Sequence, residues 1–281
     1  MSRAPREAAE VFDWGAFLGV LPWTVLAVVV VLGVTLAVAL GQGRHTVVDV
    51  AWGLGFVAIA VAAFLAGDGD PGRSWLVLAL TAGWGLRLGA HIHRRSRGRG
   101  EDPRYEELLA KAPPGGRTAF AVRRIYLTQG VVMWFVSLPV QVAMVQPQGL
   151  GALAWAGAAV WAVGLFFETV GDWQLERFRA EPSNRGRVLD TGLWHYTRHP
   201  NYFGDACVWW GLWLVAASAW PGVLFVLSPL AMTWNLAKGT GAALLEKDIA
   251  DRRPDYADYV RRTSGFVPLP PRKPQRRGTP S

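Results

Sequence analysis

Residues 15–40, GAFLGVLPWTVLAVVVVLGVTLAVAL, run without one ionisable side chain. About 20 apolar residues cross the hydrocarbon core of a bilayer, so this stretch is long enough to span one with some tilt. It does not read as a cleaved signal. The apolar part is too long, and the flank ahead of it mixes Arg3 and Arg6 with Glu7, Glu10 and Asp13. Further apolar stretches at 47–66, 75–92, 127–145, 151–172, 204–218 and 222–238 predict an all-α, polytopic membrane bundle of about seven transmembrane helices. The last two stretches are short and joined by SAWPG, so one long, broken helix is an alternative there. The single cysteine, Cys207, excludes an intramolecular disulfide and any cysteine-cluster metal site, and no metal is expected.

The formal charge of +8 invites a nucleic-acid reading, but its placement argues against one. Basic residues gather in three blocks, Arg94 to Arg124, Arg177 to Arg198 and Lys238 to Arg277, while the connections 67–74, 146–150 and 219–221 hold only Arg73. This alternation is the positive-inside pattern, with an outside N-terminus and a cytoplasmic C-terminus. The partners expected are the lipid bilayer and a hydrophobic small-molecule or lipid substrate, with no nucleic acid; the oligomeric state is open. Neither long loop is apolar enough to form its own core, so 1–268 reads as one membrane domain. Residues 269–281, LPPRKPQRRGTPS, read as a disordered cytoplasmic tail.

The fifth stretch keeps helical character beyond its apolar part. On a helix, Glu168, Asp172 and Arg179 share one side, which predicts a polar stripe at the cytoplasmic mouth. An interfacial ion-pair ladder is the plain alternative, yet charge near lipid usually faces a cavity. The next segment carries turn chemistry and then His199-Pro200. Proline favours the first helical position and disfavours helix in the residue before it, so a helix should open at Pro200. Its free N–H groups, flanked by Arg187 and Arg198 and within reach of Arg179, suit a phosphate. Asn201 offers both a donor and an acceptor.

Three stretches, GDWQLERFRAE (171–181), GLWHYTRHPNYFGD (192–205) and DYADYVRRTSGFVPLPP (255–271), resemble the steroid 5α-reductase superfamily. More narrowly, they resemble its bacterial branch of membrane proteins with a 5α-reductase-like C-terminal domain. The likeness is good over about 166–268 and holds only in outline before that. It implies an NADPH in a cytoplasm-facing pocket and hydride reduction of a carbon–carbon double bond conjugated to a carbonyl. It also implies cofactor contacts at Asp172, Arg179, Arg187, Arg198, His199, Asn201, Tyr202 and Asp205. Asp205 stands where the reductases have a glutamate, and Lys238 and Glu246 stand where they have an Arg and His/Tyr set. A bacterial inner-membrane location follows from the same likeness.

Enone reduction needs an acid that polarises the carbonyl oxygen as well as a hydride. Asp49, the only ionisable group of its apolar stretch, matches the family carboxylate approximately; an interfacial aspartate near His45 is the alternative. The family tyrosine aligns best with His91, and Tyr105 in EDPRY is a second candidate donor. Asp49, His91 and Tyr105 are therefore the catalytic candidates. A histidine such as His91 also reads as a snorkelling or hydrogen-bonded core imidazole, and Glu101, Asp102 and Arg104 as residues that order the loop. Two other function classes compete. The Arg-His-Pro-x-Tyr element also resembles isoprenylcysteine carboxyl and phospholipid methyltransferases, which take the phosphate-free cofactor S-adenosylmethionine. A non-catalytic lipid-binding protein would take neither cofactor.

Overall fold

The first helix, α1 (Trp14–Gln42), buries one side, Phe17, Val20, Thr24, Val28, Leu32, Thr35 and Ala39. Leu18, Trp23, Val29 and Val34 are exposed, and a helix apolar all round is one whose outer face meets lipid. These features come from a computed structural model that describes residues 11–239 and 255–272. Asp13 starts α1 by accepting from the N–H of Gly15 at 2.7 Å and of Ala16 at 3.1 Å. Gly43, at φ 64°, ends it in the left-handed conformation that glycine adopts without steric cost.

Then come α2 (Val47–Ala66), α3 (Pro71–Ser96), α4 (Pro103–Leu109), α5 (Arg117–Ala121), a wide turn over Val122–Tyr126, α6 (Leu127–Val136) and α7 (Leu138–Ala143). They are followed by α8 (Ala152–Ala180), α9 (Pro200–Ala217), α10 (Leu227–Trp234) and α11 (Tyr256–Arg262). The chain divides into two compact units, Met1–Ala158 with Leu212–Ser228, and Ala159–Gly211 with Pro229–Ser281.

Among the described residues, four helices are long and apolar enough to cross a membrane: α1, α2, α3 and α8. The other three expected stretches are shorter or interrupted. Residues 127–145 break at Ser137, because Pro139 has no N–H to give and its ring crowds the carbonyl four positions earlier. The hydroxyl of Ser228 donates to the carbonyl of Val136 at the break, at 2.5 Å. Stretch 204–218 lies within α9, and 222–238 is divided among a 3₁₀ turn, α10 and a wide turn over Asn235–Gly239.

In the first unit, α2 and α3 touch backbone to backbone. A Cβ on Gly53 would collide with the carbonyl of Gly85, and one on Gly85 with that of Gly53. Small residues permit this approach in membranes, where packing rather than water drives helix association. Polar groups add a buried stitch: Thr24 Oγ1 donates to Gln141 at 2.8 Å and Gln141 Nε2 to Ser137 at 2.7 Å.

Arg73 explains why one arginine sits among connections otherwise free of basic residues. It is wholly buried, and among the described residues its guanidinium donates to carbonyls, an amide oxygen and a hydroxyl but to no carboxylate. Instead Nε donates to the Gln148 carbonyl at 2.8 Å and Nη2 to that of Gly149 at 3.1 Å. Nη1 reaches the Val215 carbonyl at 2.5 Å, Ser218 Oγ at 3.0 Å and Gln146 Oε1 at 3.2 Å. A guanidinium presents five N–H donors in a rigid fork, which suits a site built from carbonyls.

In the second unit α8 and α9 also meet through glycines. A Cβ on Gly204 would strike the N–H of Glu168 and the carbonyl of Gly164. The segment 190–199 and the C-terminal stretch fold onto one another: Tyr259 OH donates to the Trp194 carbonyl at 2.6 Å, and Arg198 N to the Ser264 carbonyl at 2.8 Å. Part of the expected tail joins this. Leu269 N donates to the Tyr196 carbonyl at 3.0 Å and Arg272 N to that of Arg262 at 2.9 Å, so 269–272 is held in place; 273–281 lies outside the described residues.

Candidate functional site

Two polar clusters contain most of the described residues expected to carry chemistry, one in each unit. The first forms where the loop after α3 folds onto the start of α2. Arg44 donates to the carbonyls of Ser96 at 3.3 Å and Arg99 at 2.5 Å. Glu101 then supplies what Thr46, whose own side chain makes no cap bond, does not. Its carboxylate accepts from the N–H of His45 at 2.5 Å and of Thr46 at 2.7 Å, and from the Thr46 hydroxyl. Orphan N–H groups and the positive end of the helix dipole make that position favourable for a carboxylate. Burial alone would raise the Glu101 carboxyl; the hydrogen bonds from Thr46, His45 and Asp102 together hold it below the usual range. The partners of Glu101 are therefore backbone amides and a hydroxyl, not the arginines of the loop.

Because its folded-state value is depressed, Glu101 contributes stability that is complete above the ordinary carboxylate range near 4.3 and is lost as pH falls through the lower, folded value. Acidification from neutrality toward pH 3 should release loop 97–109, with hydrogen exchange at His45 and Thr46 rising with it. Glu101→Ala should produce the same release at neutral pH, at a cost of about 1–2 kcal/mol, the usual worth of a lost cap. Unchanged exchange at those two amides would dismiss this cap.

With the loop pinned there, α4 carries Tyr105 onto α2. The Tyr105 hydroxyl donates to Asp49 Oδ1 at 2.5 Å, and Gln129 Nε2, from α6, donates to the same hydroxyl oxygen at 3.2 Å. Arg104 Nη2 reaches Asp49 Oδ2 at 3.0 Å, while Nε and Nη2 hold Asp102 at 2.9 and 3.0 Å. Tyr105 is buried, and Asp49 keeps about a fifth of its side chain exposed. Burial, and then the neighbouring Asp49 carboxylate, push the Tyr105 phenol well above its ordinary value, so it retains its proton throughout the working range. The arrangement is a neutral donor aimed at a carboxylate and oriented by an amide.

Of the three catalytic candidates, Asp49 and Tyr105 are in direct contact. His91 is buried on α3, and the hydrogen-bond partners of Asp49 are Tyr105 and Arg104 instead. His45, the alternative neighbour of Asp49, faces Tyr126, its Nδ1 lying 3.1 Å from that hydroxyl. Gln129 and Arg104 belong to the cluster without having been singled out for it. The signal for Gln129 was a polar amide inside an otherwise apolar stretch.

The second cluster lies along α8 and α9. The helix opens at Pro200, and Asn201 Nδ2 donates to Asp172 Oδ1 at 3.0 Å while its Oδ1 accepts from the N–H of Tyr202 at 3.1 Å. Glu168, Asp172, His199 and Asp205 are buried; the His199 and Tyr202 rings stack, 5.5 Å between centroids. On the expected polar stripe Glu168 and Asp172 are buried and Arg179 is exposed; Arg187 and Lys238 are exposed as well. Arg198 turns to the C-terminal stretch, its Nη1 donating to the carbonyls of Val260 and Thr263, each at 3.1 Å. Glycine contacts close the space between the two helices at 164–171. Glu246 falls outside the described residues.

No curated protein and no solved structure matches the chain. A family model does, that of a protein of unknown function (DUF1295), over residues 35–263. The match takes in both clusters and every described helix from α2 to α10, so the chain belongs to the DUF1295 family of membrane proteins, a family related to steroid 5α-reductase-like and isoprenylcysteine-methyltransferase-like membrane proteins.

Proposed function

We propose that this protein is a membrane-embedded, NADPH-dependent reductase of a conjugated carbon–carbon double bond in a hydrophobic steroid, isoprenoid or lipid-like substrate. In this reading about seven segments traverse a bacterial inner membrane, with the N-terminus outside and the C-terminus cytoplasmic. The observation that carries it is the 2.5 Å contact of Tyr105 with Asp49 at the end of an apolar helix. A phenol proton held at the lip of a lipid-facing bundle is suited to polarise the carbonyl of a molecule arriving from the bilayer.

When bound, the cofactor supplies the hydride to the β-carbon. With substrate bound, Tyr105 would turn its hydroxyl from Asp49 to the substrate oxygen, and Asp49, having taken up a proton, would donate in turn to the phenol oxygen. Gln129 fixes the hydroxyl while this happens, and Arg104 holds the second oxygen of Asp49. The proton that completes reduction at the α-carbon would come from the same pair, which would regain one from water at the partly exposed Asp49 carboxyl. Asp172 and Asn201 fit the carboxamide and ribose of a nicotinamide nucleotide, having donor and acceptor capacity side by side. Exposed Arg179 and Arg187 fit its phosphates, which would then lie toward solvent.

One observation favours a second reading, an S-adenosylmethionine-dependent methyltransferase: Arg198, the guanidinium beside the α9 N-terminus, is occupied by the carbonyls of Val260 and Thr263. A cofactor without phosphate has less need of it. Titrating purified full-length protein with NADPH and with S-adenosylmethionine separates the two. The reductase reading expects micromolar NADPH affinity that falls at least tenfold in Arg179→Ala and in Arg187→Ala. Binding of S-adenosylmethionine without binding of NADPH would overturn it.

A further inference from the structure

One polar atom of the first cluster has no partner once the hydrogen bonds there are assigned. Gln129 stands on α6 between Leu127 and Val131, both of which are exposed. At about 100° per residue, position 129 falls on the opposite side of the helix from them. The wide turn over Val122–Tyr126 leads into this register, and the next residue presses α6 against α1. A Cβ on Gly130 would stand 3.0 Å from Leu32 Cδ1 and 3.3 Å from Val28 Cγ1. The Gln129 amide faces α4 instead, where Nε2 donates to the Tyr105 hydroxyl oxygen at 3.2 Å.

The phenol fixes which way round this amide lies. Tyr105 has one hydroxyl proton, and the 2.5 Å contact with Asp49 Oδ1 takes it. The phenol oxygen then accepts, so the end of the amide that meets it is the NH2 group and Oε1 is the far end. Oε1 is buried, and among the described residues no donor reaches it. A buried acceptor without a donor is destabilising, so something outside the chain serves it. Its position says what. Oε1 belongs to the same planar amide that holds the phenol, so a group donating to it lies beside the place where the proposed reaction puts the substrate carbonyl. We infer that the substrate carries a hydrogen-bond donor, an O–H or N–H, next to that carbonyl, and that Gln129 Oε1 accepts from it. The carbonyl rests on the reductase reading; the donor rests on the amide. A buried acceptor rejects an analogue that lacks the donor, because the acceptor is then left unpaired. The pair Tyr105 and Gln129, one donating and one accepting, therefore selects hydroxylated or amide-bearing enones over plain ones.

The test titrates the full chain in neutral detergent, without cofactor, with three ligands of one skeleton. They are a long-chain alkyl enone, the same enone with a hydroxyl on the saturated carbon beside the carbonyl, and the methyl ether of that hydroxyl. The hydroxy-enone should bind about tenfold more tightly than either of the others, since the ether keeps the oxygen and has no proton to give. A long-chain conjugated primary amide against its dimethylamide reads an N–H donor in the same way. Preference within either pair supports the donor and says which atom bears it. Gln129→Leu should erase the preference and leave the plain enone within about threefold of its wild-type affinity, a difference between ligands that a general loss of packing does not produce. Equal affinity within both pairs, no binding of any of these ligands, or a preference that survives in Gln129→Leu would overturn the inference and leave Oε1 to water. NADPH, titrated separately on the same preparation, tells this failure from that of the reductase reading. Binding of NADPH without the preference removes the donor alone, and the preference without binding of NADPH removes the reaction alone.

Discussion

Tyr105→Phe is expected to lower reductase turnover by about 10²–10⁴-fold, the range over which a positioned proton donor contributes, with NADPH affinity within a factor of about two of wild type. The substitution removes one hydroxyl from a ring that stays in the same packing, so folding is not at stake. Asp49→Asn should cost a similar factor by a different route. The amide still contacts the phenol but cannot relay a proton. On an enone without a neighbouring hydroxyl, Gln129→Leu should cost less, about tenfold, since it leaves the donor in place and removes only its orientation; the loss should fall on kcat more than on KM. The pH profile distinguishes these roles. Wild-type activity should depend on the shared Asp49–Tyr105 proton, and Asp49→Asn should flatten that limb. Activity in Tyr105→Phe within threefold of wild type would remove the donor from the mechanism.

The second large effect is on stability. Arg73→Ala should destabilise the protein by about 3–5 kcal/mol, the cost of taking one member from a buried, hydrogen-bonded charged site. Five acceptors lose their donor at once: three carbonyls, the Gln146 amide oxygen and the Ser218 hydroxyl. Unsatisfied buried acceptors cost about 1–3 kcal/mol each before relaxation, and the volume of the side chain is lost as well. Arg73→Lys should recover only part, since an ammonium has three donors and cannot reproduce the fork. Thermal unfolding in detergent measures the difference. A midpoint for Arg73→Ala equal to that of wild type would mean that water serves these acceptors as well as arginine does.

Much of this architecture can be read along the chain. The charge-free run of α1 dictates its helix, His199-Pro200 marks the opening of α9, and Asp49 stands out as the lone ionisable group of its stretch. These are local signals, set by periodicity and backbone chemistry over a few residues. What stayed hidden depends on contact between distant positions. Tyr105 meets Asp49 across 56 positions, and nothing at either residue encodes the other. Arg73 looked like a stray exception to a charge rule, because its acceptors are main-chain carbonyls, which every residue carries alike. The break at Ser137 was written in Pro139, yet hydropathy averages over a single proline and returns one continuous stretch. Arg198 stands beside the α9 N-terminus in the chain, and nothing at that position encodes its contacts with the Val260 and Thr263 carbonyls, 62 and 65 positions away.

The Glu101 cap has a mechanical corollary. Four positions separate that carboxylate from the phenol on α4, and both grip the first turn of α2. The loop is thus riveted at two points to one rod, and it moves with that rod or comes off it altogether. Lengthening the chain by one residue between the rivets would keep the first seated and swing the aromatic ring off its mark. Under the proposed reductase reading, anything that lifted this loop from α2 would also carry the Tyr105 phenol away from Asp49.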